Sequence, residues 1–77
     1  MEIKNRLNKR ELELLSKINI KIEDREYYFE ELEEIKEEIV FKGEISNMDK
    51  NENPTALSGE YSNLADKFIE FEDEAEK

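Results

Sequence analysis

The residues whose types and spacing could do chemistry are carboxylates and carboxamides. Asp49, Asn51 and Asn53 stand two apart, as at positions 1, 3 and 5 of a calcium-binding loop. Thr55 falls at position 7, where a backbone carbonyl serves, and Glu60 at position 12, where a bidentate carboxylate is needed. Position 6 requires a glycine for a sharp turn, and Pro54 occupies it with its φ held negative. The expectation is therefore that no metal or other cofactor is bound and that these are turn and cap residues. Catalytic candidates are equally thin. The chain has no histidine and no cysteine, so the commonest general base and the strongest nucleophile are missing. Its two glycines, Gly43 and Gly59, cannot form a phosphate-cradling loop. Paired carboxylates abound, but on helix surfaces, where water keeps them ordinary. The reading is non-enzymatic, with no catalytic residue.

The elements that position these side chains follow from apolar spacing. Tyr28, Leu32, Ile35 and Ile39 advance by fours and threes, as do Leu57, Tyr61, Leu64, Phe68 and Phe71. Asn8 and Glu11 have the spacing of a capping box, flanked by Leu7 and Leu12. Ile18, Ile20 and Ile22 alternate with polar residues and read as an extended connector over 19–23. A second helix is expected to begin between Asp24 and Tyr28, with Asp24 placed to cap it, Gly43 to end it in a left-handed conformation, and Asn53-Pro54 to open a third. Gly59 is a weak point, for which a restart of that helix at Ser58 is expected.

The pattern predicts a small all-α, three-helix domain spanning 1–77, a helical hairpin plus a carboxy-terminal amphipathic helix. Helices are expected near 9–18, 24–42 and 54–72, with an amino-terminal arm at 1–8, a polar loop at 43–53 and a frayed acidic tail at 72–77, where carboxylates oppose the helix dipole. The expected core is Leu12, Leu15, Ile18, Tyr28, Leu32, Ile35, Ile39, Leu57, Tyr61, Leu64 and Phe68.

Charge narrows the partners. The net charge is −10, with 44% of residues charged. Residues 1–21 hold six basic and three acidic residues, and the remainder six basic and nineteen acidic. So acidic a body repels phosphate backbones and is drawn to basic protein surfaces. The expected partner is another protein or a second copy of this one, with no direct nucleic-acid or membrane contact. The absence of cysteine and of a long apolar run predicts a cytoplasmic protein. Candidate partner-binding residues are the flanking Phe29 and Val40, the off-stripe Tyr27 and Phe41, the row's last aromatic Phe71, and the acidic Glu33, Glu34 and Glu37. The block Glu30, Glu31, Glu33, Glu34, Glu37 and Glu38 also suits an acidic inhibitor that fills a basic, nucleic-acid-binding groove.

Residues 12–55 resemble the small C subunit of the bacterial glutamyl/aspartyl-tRNA amidotransferase. The matching features are Ile18 and Ile20 in the connector, Tyr28, Leu32, Ile35 and Ile39 in an acidic helix, then Ile45 and Asp49, then Pro54-Thr55. The resemblance implies a non-catalytic clamp around an amidase subunit, with residues 43–77 unstructured until bound. The chain departs from that family at its tail, where Asn63 is followed by Asp66 and Phe68 inside an amphipathic pattern. The Lys/Glu/Ile/Asn-rich usage is also similar to that of small proteins of low-GC Gram-positive bacteria and their mobile elements.

Overall fold

A computed structural model describes residues 1–48, 50–51, 53 and 55–76. Three α-helices, α1 (Lys9–Lys17), α2 (Phe29–Glu38) and α3 (Ala56–Glu76), make an all-α domain. Three-residue 3-10 turns lie at Lys4–Arg6 and Ile45–Asn47, and a π-helical segment, Ile39–Glu44, continues α2. No helix among the described residues is long and apolar enough to cross a membrane.

The start of α1 is as its sequence requires. The Asn8 side chain accepts from the Glu11 amide, and the Glu11 carboxylate accepts from the Asn8 amide, each at 2.8 Å. Two otherwise unpaired helix-end amides are thereby satisfied. Asn8→Ala is expected to cost about 1 kcal/mol, read as a lower urea midpoint. An unchanged midpoint would show that the cap contributes nothing. At the other end Asn19 takes a left-handed φ of 63°. Its amide bonds Ser16 O, and the Ile20 amide bonds Leu15 O, at 3.0 and 2.9 Å. This pair of bonds closes the last turn as a Schellman motif.

The second helix starts at Phe29, with Tyr28 at its cap position and not Asp24, so it begins at the late end of the expected window. The amino-terminal arm is the reason. The Tyr27 amide donates to Met1 O at 2.7 Å, the terminal ammonium donates to Tyr27 O at 3.0 Å, and Glu2 bridges Glu26. These bonds hold residues 26–27 extended, so the helix begins only once they end. The phase of burial shifts accordingly. Tyr27 is buried, its hydroxyl accepting from the Glu23 amide at 2.8 Å, while Tyr28 is exposed. Tyr28 is thus not the core residue that its spacing predicts.

The core gathers Ile3, Leu7, Leu14, Leu15, Ile18, Ile22, Leu32, Ile39, Tyr61, Leu64, Phe68 and Phe71 among others. Leu12, Ile35 and Leu57 pack only half-buried on its margin. Gly43 does not end a helix with a left-handed turn. It is buried within the π segment, so the expected loop at 43–53 is helical through Asn47. Helix α3 runs through Gly59 without restarting and reaches Glu76, where fraying from 72 was expected. Arg6 donates to Glu74 at 2.7 Å, Phe71 is fully buried and Ala75 packs on the core, so the arm holds that end against its own dipole. Residues 56–76 therefore form a packed helix, unlike the unstructured segment that the clamp resemblance implies.

Candidate functional site: an acidic face around Phe41

The site follows from how α2 divides its surface. Leu32 and Ile39 are fully buried, Ile35 is half-buried, and Glu30, Glu34 and Glu37 lie on the solvent side. Charge pairing then decides which carboxylates remain available. Several cations pair between the first third of the chain and α3: Arg6 with Glu74, Arg10 with Glu60 at 2.6 Å, and Lys67 with Glu11 at 2.9 Å. Lys36 reaches across from α2 to the largely buried Glu72 at 3.1 Å. On α2 itself Arg25 holds Glu31 at 2.7 Å, and Lys42 holds Glu38 at 3.3 Å. Among the described residues no cation lies within ion-pair distance of Glu30, Glu33, Glu34 or Glu37. Their charge is left to water, and it forms one continuous face.

An aromatic side chain stands within that face. Phe41 is 65% exposed, and one turn on Ile45 is 48% exposed. An open cleft of about 470 Å³ is lined by Glu34, Ile35, Glu37, Glu38, Phe41 and Lys42, and Glu30, Glu31, Glu33, Glu34 and Glu37 line a neighbouring depression. The platform beneath is rigidly packed. Gly43 lies against the buried ring of Tyr61, whose hydroxyl donates to Leu14 O at 2.7 Å. The π segment that carries Phe41 is thus joined to α3 and α1. A solvated benzyl group ringed by carboxylates does no acid–base work; its chemistry is apolar contact edged by negative charge.

Of the residues expected to bind a partner, Glu34, Glu37 and Phe41 come together in this cleft, with Glu33 beside it. Phe29 and Val40 are half-buried. Tyr27 and Phe71 are core residues and offer no contact surface. Tyr27 is 4% exposed beneath the Arg25 guanidinium, and Phe71 is fully buried edge-to-face against Phe68 at 5.2 Å. The arm lies against both, Met1 bonding the Tyr27 backbone and the Arg6 guanidinium lying 5.0 Å over the Phe71 ring. The burial of Phe71 follows its helical stripe, whereas that of Tyr27 does not. Conversely, Tyr28, Ile45 and Ile69 are exposed apolar residues outside the expected set. For Ile45 the signal was present: it lies four residues beyond Phe41.

Shifted titrations mark structural contacts. The Arg25 hydrogen bond holds the Glu31 carboxyl below its usual range, the Glu60 hydrogen bond raises Arg10, and burial pushes the Tyr61 phenol up. In the calcium-type loop Asp49 and Pro54 lie outside the described residues. Thr55 O accepts from the Gly59 amide at 2.9 Å and Glu60 binds Arg10, so two residues at the loop's ligand positions make other contacts. No group of three or more acidic side chains among the described residues is arranged to hold a metal ion.

Comparison with protein-family models, curated proteins and solved structures found no match.

Proposed function

We propose that this chain is a non-enzymatic, cytoplasmic protein-binding module. It docks its Phe41-centred acidic face onto a basic surface of another protein. The observation that carries this reading is a solvent-exposed phenylalanine in a cleft whose Glu34 and Glu37 have no cationic partner among the described residues. Aromatic anchors inside a charged rim are the usual source of binding energy at protein interfaces, and the rim sets association rate and sign selectivity.

A partner captured from a lysate of the source cells and then purified allows a direct test. Phe41→Ala is expected to weaken its affinity about tenfold or more. Reversing Glu33, Glu34 and Glu37 to lysine should slow association and abolish most of the salt dependence. Partner affinity unchanged in Phe41→Ala would overturn the anchored mode. The continuous unpaired run of Glu30, Glu33, Glu34 and Glu37 favours a second reading, an acidic inhibitor lying in a nucleic-acid-binding groove. That reading predicts loss of binding on charge reversal, indifference to Phe41, and a steep fall in affinity with salt.

A further inference from the structure

The chain carries a second concave surface, of opposite sign. A groove of about 360 Å³ is lined by Lys4, Leu12, Ser16, Ile20, Lys21 and Ile22, where the amino-terminal arm, α1 and the connector meet. Leu12 and Ile20 are half-buried and Ile22 is buried, giving an apolar floor. Lys4 and Lys21 are exposed, and no carboxylate among the described residues comes within ion-pair distance of either. One molecule therefore has a protruding aromatic edged by free carboxylates and an apolar groove edged by free ammonium groups.

We infer that the Phe41 face of one copy docks into the Lys4–Lys21 groove of a second copy. This rests on the reading of the Phe41 face as a docking surface, and it names a second occupant for it. Phe41 meets the floor of Leu12 and Ile20, while Glu34 and Glu37 meet Lys4 and Lys21. Such a contact uses two different patches, so it is heterologous: each copy keeps one unused face, and copies join head to tail into chains or rings. The net charge of −10 opposes the contact, but at ~0.1 M salt screening confines that repulsion to about 10 Å. Association is therefore weak and appears as concentration rises. It also covers Phe41, so a second copy and a foreign partner compete for the same face.

The test uses two charge-reversed variants of the full chain, Glu34→Lys/Glu37→Lys and Lys4→Glu/Lys21→Glu. All four positions are exposed, and circular dichroism checks that helix content is kept. Sedimentation equilibrium then follows average mass against concentration. Wild-type mass is expected to rise, each variant alone to associate at least about tenfold more weakly, and an equimolar mixture to regain association, because its opposed faces are again of opposite sign. Net charge alone predicts the reverse for one variant. Glu34→Lys/Glu37→Lys is less negative overall and would associate more readily than wild type. That result, a wild-type chain that stays monomeric throughout, or a mixture that fails to recover would each overturn self-docking. A foreign partner that still depends on Phe41 while the wild type stays monomeric would remove only this inference and leave the proposed function standing.

Discussion

Phe68→Ala is expected to lower stability by about 3–5 kcal/mol, and Leu32→Ala by about 2–5 kcal/mol. Both side chains are fully buried, and they stand on α3 and α2, the two helices that form the central packing layer. Phe68 also loses an edge-to-face partner in Phe71, whose ring remains buried beside the new cavity. Domains are commonly stable by only about 5–15 kcal/mol, and one of this size has a thin core. Either change should therefore remove a large share of the total stability. Urea titration would show a fallen midpoint with an unchanged slope if the denatured state is unaffected. A loss below about 1 kcal/mol at both positions would mean that the α2–α3 layer is not the core.

These two positions were legible because a helix repeats locally. Leu32 and Ile39 lie on one stripe and Tyr61, Leu64, Phe68 and Phe71 on another, and all six are buried. The Asn8–Glu11 cap was equally legible, since its partners are three residues apart. The Tyr27–Tyr28 pair was not. Which of two adjacent tyrosines turns inward depends on where α2 begins, and that is set by Met1 bonding a residue 26 positions away. Helical spacing contains no record of that contact. The same limit explains the far end of α3, where Arg6 and Glu74 meet across 68 residues.

The candidate site divides along the same line. That α2 has an acidic outer face, and that Phe41 lies off its apolar stripe, could be read from composition and spacing. Which carboxylates stay unpaired could not. Arg10–Glu60 and Lys67–Glu11 are contacts between distant segments, 50 and 56 residues apart. Lys36, on α2 itself, likewise goes to Glu72, 36 residues away, and Lys42 to Glu38, which leaves Glu34 and Glu37 alone beside Phe41.

The two glycines should respond to alanine with opposite signs. Both lie in helical backbone without a positive φ, so both stand to gain about 1 kcal/mol from alanine's higher helix propensity. At Gly59 nothing lies within 4 Å of an added Cβ, so the full gain is expected. At Gly43 the same atom would sit 2.9 Å from Tyr61 Cε1 and closer still to Cγ and Cδ1. Tyr61 cannot swing aside, because its ring is buried and its hydroxyl is held by Leu14 O. Overpacking of this kind costs about 1–3 kcal/mol or more, which outweighs the propensity gain. Gly43→Ala should therefore lower the urea midpoint and Gly59→Ala raise it. A double-mutant cycle isolates the cause. In a Tyr61→Leu background the flat ring is gone, and Gly43→Ala should become neutral or stabilising, giving a coupling of about 0.5–3 kcal/mol. If Gly43→Ala stabilises the wild-type chain as Gly59→Ala does, the close packing of the π segment on Tyr61 is wrong. The platform placed beneath the Phe41 face would then fall with it.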